Sequence, residues 1–232
     1  MIRPLLLLAA LLCAMPATAA DRRFAVTDFE RIVVEGPFTV LLTTGRPTSA
    51  VASGDRQAVD SVSVEVQGGI LRIRRNPNWT GSAARTAAPP ATVALTTRTL
   101  RTARVVGSGR LTINGLRGQQ VELVVEGSGR ISAGRVAADQ LGAGVRGSGT
   151  IELSGTAGIF RAEVQGSGSL LGDGFTADAA TISAATSGDV RLAARRTAMV
   201  TASGVGAIRV DGSAACTVRG PNAAEVSCGS AR

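Results

Sequence analysis

The 232-residue chain contains no histidine, no tyrosine and, among its 25 basic residues, no lysine. Each absence excludes a class of chemistry. Without imidazole there is no Ser-His or Cys-His nucleophile pair and no histidine-ligated metal site. Without lysine there is no amine nucleophile and no phosphate-loop motif. Aromatic residues make up 3% of the chain, too few to supply base-stacking platforms, so nucleic acid is not expected as a partner. No segment is long and apolar enough to predict a transmembrane helix. None sustains a 3.6-residue period free of glycine, so helices are not expected. Asp173, Asp189 and Asp211 fall at inequivalent repeat positions, so no calcium-binding column is expected. No cofactor is implied, and no catalytic residue is assigned.

What is present begins with residues 1–20. Arg3 is followed by the apolar run Leu5–Leu12 and by the small residues Ala17-Thr18-Ala19-Ala20, the pattern of a secretory signal peptide. Cys13 lies inside the apolar run behind Leu12, so it does not make a lipoprotein signal. The chain is therefore expected to be exported, to the periplasm or the extracellular side of a bacterial envelope. The formal charge of +8 becomes +7 once Arg3 is removed (8 − 1). Its arginines are spread along the chain. They allow attraction to anionic polysaccharide or lipid but form no focused patch. Two of the three cysteines remain, Cys216 and Cys228. In an oxidising compartment they are expected to pair, the alternative being two buried thiols.

The dominant signal is a ladder of Gly-Ser-Gly tripeptides at Gly107–Gly109, Gly127–Gly129, Gly147–Gly149 and Gly166–Gly168. Degenerate copies follow at Thr186–Gly188 and Gly204–Gly206. Between third residues the steps are 20, 20, 19, 20 and 18. A period near twenty predicts a solenoid. After each tripeptide comes a strand apolar at its second and fourth positions, as in Arg110-Leu111-Thr112-Ile113. Before each tripeptide comes another strand, with inward columns such as Val121, Leu141, Phe160, Ala180 and Ala198. A small-residue corner, Asn114-Gly115 in the first coil, separates the two. The fold expected is all-β: a single-domain parallel β-helix over residues 21–232, right-handed by the crossover rule.

Ahead of the ladder the chain alternates with period two. Val62, Val64 and Val66, then Gly68-Gly69, then Leu71 and Ile73 predict a hairpin. Pro37 is read as a bulge or an edge. Residues 76–91 read as an exposed loop carrying Trp79, the only tryptophan, which either anchors a ligand or packs back on its own coil. Residues 213–232 read as a C-terminal cap. Gly220-Pro221-Asn222 is placed at a seventh corner, and Cys216 in the inward column of Val200.

Together the opening Ile32–Val40, the Ser53-Gly54-Asp55 step, the hairpin end Gly69–Ile73 and the ladder resemble one bacterial family, called putative auto-transporter adhesin, head GIN domain. The resemblance spans nearly all of the exported chain. It implies a β-helical fold, a place in the cell envelope and adhesion. It brings no catalytic or binding residues with it. Gly204-Val205-Gly206 departs from the family pattern.

Candidate binding residues are therefore sought on the outward columns. Arg110 and Arg130 should stack as like charges. Glu126 and Arg146 should stack on adjacent rungs, with Glu126 relieving the arginines. Such ladders are either solvated ion pairs or a strip that binds a polyanion. With Trp79, these five residues are the candidate binding surface. Two functions are weighed. One is a non-enzymatic envelope module, structural or adhesive, with an envelope glycan or protein as its partner. The other is a polysaccharide-cleaving enzyme on the same fold, which needs acids converging in a groove.

Overall fold

In a computed structural model, residues 20–80 and 90–229 are described. Residues 1–19 of the expected signal peptide and residues 81–89 of the expected loop lie outside them. The protein is a β-solenoid of about six turns.

The coils are longest and most regular where the ladder is. They are β9 (Arg110–Gly127), β10 (Arg130–Gly147), β11 (Thr150–Gly166), β12 (Ser169–Thr186) and β13 (Val190–Ala202). Each pairs in parallel with its neighbours: β9 with β10, β10 with β11, and so on. The expected columns hold. Leu141 lies opposite Val121 and Phe160, Phe160 opposite Ala180, and Ala180 opposite Ala198. All are buried.

A coil has three runs rather than the two expected. Pairing of β10 with β9 covers residues 130–134, 136–138 and 140–147, broken at 135 and 139. The middle run adds an inward position that the two-strand expectation lacks: Leu116, Val136 and Phe175 are buried there, while Gly155, at positive φ and half-buried, stands in register with Val136 and Phe175. Burying a leucine or phenylalanine there stabilises by roughly 1.5–3 kcal/mol. The column is irregular because volume is traded between coils. The coil with Gly155 carries Phe160. The coil with Phe175 carries Ala180. The two rings meet edge to face with centroids 5.0 Å apart.

At the Gly-Ser-Gly corner the two glycines serve different ends. The first has positive φ, +112° at Gly147, a region open to glycine at little cost. The third lies against the rung beneath. A Cβ on Gly149 would stand 2.7 Å from the Gly129 carbonyl oxygen and 2.4 Å from Val125 Cγ1. Rungs are tied through amides: Ser148 N–H donates to Gly127 O at 2.9 Å and Thr150 N–H to Gly129 O at 3.0 Å. The serine hydroxyl column is exposed. At the fifth corner Thr186 replaces the first glycine. It is buried, and its hydroxyl donates to Gly168 O at 2.7 Å and accepts from Gly188 N–H at 3.0 Å.

The N-terminal half is threaded out of order. β2 (Arg31–Glu35) and β3 (Thr39–Thr44) form a coil. β2 lies between β6 (Ile70–Arg75) and β8 (Thr102–Gly107), parallel to both. β3 lies between β7 (Thr92–Thr97) and β9, again parallel to both. Gly36-Pro37-Phe38 is thus a further corner, stacked beneath Gly107-Ser108-Gly109, and not a bulge or edge. Glu35 pairs with Val106, Thr39 with Arg110, and Gly36 has φ +106°. At Ser128, Ser148, Ser167 and Ser187 the middle residue's N–H bonds to the rung beneath, and Pro37 has none. The rung beneath joins β6 to β7 through residues 76–91 and has no tripeptide.

Antiparallel strands close this end. β5 (Val62–Gln67) pairs with β6 through the expected Gly68-Gly69 hairpin, both glycines at positive φ. β4 (Ser49–Gly54) pairs with β7, and β1 (Ala20–Phe24) with β4. One short helix, α1 (Arg56–Asp60), was not expected. Asp55 caps it by accepting from Gln57 N–H at 2.9 Å, the N-cap chemistry of aspartate.

The other end is closed covalently. β14 (Ile208–Asp211) pairs with β13 and then with β16 (Val226–Cys228), while β15 (Ala215–Arg219) pairs with the end of β13. Cys216 and Cys228 form a disulfide. The register corrects the expected placements by two residues. Cys216 lies opposite Ala198 and Val218 opposite Val200. Gly220 thereby falls in the inward column of Ala202, and the corner falls on Asn222-Ala223-Ala224. Gly-Pro-Asn has the composition of a turn, but strand alternation outranks composition in setting register.

Candidate functional site

Outward residues of the first and third runs of each coil make two ladders, one on each side of the Gly-Ser-Gly corner. The first is built from β3 and the leading runs of β9, β10 and β11. Its central column runs Leu41, Thr112, Ser132, Glu152. It carries a shallow depression of about 570 Å³ edged by Thr43, Asn114, Ser132, Ser154 and Glu152. Arg130 donates to Glu152, and Ser132 Oγ donates to the same carboxylate at 2.6 Å. Arg110 and Arg130 are register partners, as expected. The relief of that like-charge contact comes from Glu152 and not from Glu126.

Glu126 stands on the second ladder, across the corner. It lies 3.5 Å from Arg104 and 3.7 Å from Arg146. Arg146 also reaches Glu163 at 3.8 Å, and Gln165 donates to Glu163 at 2.7 Å. The expected stacking of Glu126 and Arg146 is present. The group it belongs to is larger than the sequence indicated. A second depression, of about 370 Å³, opens beside this chain of charges. Arg104, Glu122, Arg146, Arg161 and Glu163 surround it, and Gly142 and Gly144 lie on its floor.

The five candidates therefore divide. Arg110 and Arg130 are on the first ladder, Glu126 and Arg146 on the second, and Trp79 is elsewhere. Trp79 is half-buried, with the Arg75 guanidinium 5.8 Å from its ring centroid. Glu152 and Arg191 share an outward column two rungs apart, with Leu171 between them. Arg191 is taken up by Asp189 at 2.8 Å and Asp173 at 3.9 Å. The Asp189 hydrogen bond first, then the charges of Asp189 and Asp173, raise its already high pKa. Among the described residues, no three His, Cys, Asp or Glu side chains are placed to hold a metal ion.

Arg104, Glu122, Arg161 and Glu163 were not singled out by sequence. They precede the tripeptides at outward positions, where any polar residue satisfies the alternation. Only their coincidence on adjacent rungs marks them. The available signal was Leu141-Gly142-Ala143-Gly144-Val145, two outward glycines in a strand with no turn to make.

The sequence profile of the family described as putative auto-transporter adhesin, head GIN domain, matches residues 28–214. Among solved structures, a putative adhesin from Bacteroides fragilis superposes with TM-score 0.77 at 22% identity, over 92% of this chain and 95% of that one. A putative lipid binding protein from Parabacteroides distasonis gives 0.69 at 20% identity, over 94% and 98%. A putative adhesin from the same organism gives 0.64 at 18% identity, over 93% and 97%. At these identities the likeness is one of fold. None of the curated proteins matches the chain.

Proposed function

Because the chain belongs to the putative auto-transporter adhesin, head GIN domain family, we propose that it is a non-enzymatic adhesive or binding module of the bacterial cell envelope. The observation that carries this is the pair of continuous outward ladders. They offer two extended, largely polar faces whose side chains are held in register by the coils. Some of their charges are matched across rungs, as in Arg104–Glu126–Arg146–Glu163. Surfaces of this kind suit many weak, spaced contacts rather than one enclosed reaction site.

Export is part of the proposal. The signal-peptide pattern of residues 1–20 supports it, and the Cys216–Cys228 bond fits an oxidising compartment. Contact residues are proposed on both ladders: Arg110 and Arg130 on one, Glu126 and Arg146 on the other. Trp79, carried on the connection between β6 and β7, is a further proposed contact. The partner class is an envelope glycan or protein.

A glycan array, an envelope-fraction pull-down and a polysaccharide-degradation screen on the exported form test this together. Binding without product release is expected. Release of reducing or unsaturated ends that disappears in Glu152→Gln would sink the proposal and install the enzyme in its place.

A further inference from the structure

Glycine is common in this chain, and nearly all of it is explained by backbone geometry. Among the described residues, every glycine but three has either a positive φ or a neighbouring atom within 3.4 Å of where a Cβ would stand. The exceptions are Gly134, Gly142 and Gly144. For Gly142 the nearest atoms would be Glu122 Cγ and Val121 O, both at 3.8 Å. For Gly144 they would be the two γ-methyls of Val124, at 3.8 and 3.9 Å. That is ordinary contact distance, so a residue with a Cβ fits. Glycine weakens a strand interior relative to such residues. Fold and stability therefore do not account for two outward glycines on one strand.

Their common effect is to open the depression of the second ladder. Gly142 interrupts the column Thr102, Glu122, Gly142, Arg161, Thr181. Gly144 interrupts Arg104, Val124, Gly144, Glu163, Ser183. The hollow of about 370 Å³ is at the small end of ligand clefts, which run to roughly 300–1,000 Å³. Its walls are chemically divided. Arg104, Arg146 and Glu163 line it and are tied together by ion pairs, Arg104 and Arg146 through Glu126 outside the lining and Arg146 directly to Glu163. Arg161 and Glu122 are exposed and enter no ion pair among the described residues. They face each other across Gly142, two rungs apart, or about 9.6 Å at 4.8 Å per rung.

We propose that this hollow binds one acidic sugar unit, of the hexuronic acid class, within an envelope polysaccharide. The proposal rests on the adhesive reading above and deepens it. Arg161 supplies the planar fork that donates two parallel hydrogen bonds to a carboxylate. Glu122 and Glu163 accept from sugar hydroxyls, which a polyol offers on its other edge. Those carboxylates also discriminate: a phosphate or sulfate dianion would be repelled by them, whereas a monoanion carrying hydroxyls satisfies both walls. The glycine floor lets one face of the sugar ring approach the backbone.

Calorimetric titration of the folded protein with oligogalacturonate tests this. A neutral glucan oligosaccharide of equal length and inorganic phosphate serve as the comparison arms. Saturable binding of the uronate alone is expected. Arg161→Ala should weaken it at least 10-fold, and Glu122→Gln several-fold. Gly144→Val should weaken it at least 10-fold while the melting temperature holds or rises, because the hollow is filled and no charge is touched. Uronate binding unchanged in both Gly144→Val and Arg161→Ala overturns the site. So does preference for the neutral glucan or for phosphate. If glycan-array or envelope binding persists in both variants, the adhesive function stands without this site. If the parent protein binds no glycan and no envelope fraction, both fall together.

Discussion

Replacing Gly149 by alanine adds one methyl group where the coils stack. The backbone there is ordinary, since Gly149 is not among the positive-φ residues, so the cost is steric. The new Cβ would lie 2.4 Å from Val125 Cγ1, 2.7 Å from Gly129 O and 3.3 Å from Gly127 O. None of the three can yield cheaply. Val125 is fully buried. Gly129 O is held by Thr150 N–H at 3.0 Å, and Gly127 O by Ser148 N–H at 2.9 Å. Overpacking of a closed core costs about 1–3 kcal/mol. Two simultaneous clashes and one tight contact place Gly149→Ala at the upper end, ~3 kcal/mol. At about 2–4 °C per kcal/mol for a domain of this size, the melting temperature should fall by roughly 6–12 °C. Gly144→Ala is the matched control on the same coil. Its Cβ meets nothing closer than 3.8 Å, and removing glycine from a strand should gain up to about 0.5–1 kcal/mol. Thermal and urea unfolding followed by far-UV circular dichroism reads both. If Gly149→Ala unfolds within about 0.5 kcal/mol of the parent, a shift ordinary for a bland surface site, the corner glycines are not stacking devices.

Other outcomes follow from the same geometry. Breaking the Cys216–Cys228 bond, which closes a sequence separation of 12, should cost ~3 kcal/mol in the chain-entropy account. Hydrogen exchange should show the loss concentrated in β15 and β16. Thr186→Val removes a buried hydroxyl that serves both Gly168 O and Gly188 N–H; about 1–3 kcal/mol of stability should go with it, measured by urea unfolding. Glu65 is held below its ordinary pKa, first by the Ser63 hydroxyl and then by Arg74. Its folded pKa is depressed, so its contribution is present above the unfolded value and lost as pH falls through the folded one. In an NMR titration, Ser63→Ala should raise the Glu65 midpoint toward the unfolded value. Glu152→Ala breaks pairs that are more than a third exposed, so unfolding should shift by less than about 1 kcal/mol.

The solenoid was legible because each coil repeats one chemical demand. The corner must pass under its neighbour without a side chain, and Gly147 and Gly149 meet that demand in two ways. Columns such as Val125, Val145 and Val164 were legible through alternation. The middle run was not. Its apolar column is interrupted at Gly155, a half-buried glycine at positive φ in register with Val136 and Phe175, so it does not repeat from coil to coil. The insertion of β2–β3 between later strands was hidden because pairing partners 39 or 71 residues apart, such as Ile32 with Leu71 and Ala103, leave no local trace. At the candidate site, Glu126 with Arg146 was readable from spacing alone. The hollow beside them was not, because it is defined by side chains that are missing.

The out-of-order threading also sets a timetable. In the ladder half, a coil finds its partner about twenty residues along the chain, so each can add to the last with little loop closure. The coil of residues 31–44 has no such freedom. Its partners are β6, β7, β8 and the start of β9. A chain that emerges amino end first, from a ribosome or through a membrane pore, therefore carries an unfinished first coil. That coil stays incomplete until residue 114, the last partner of β3, has followed it out.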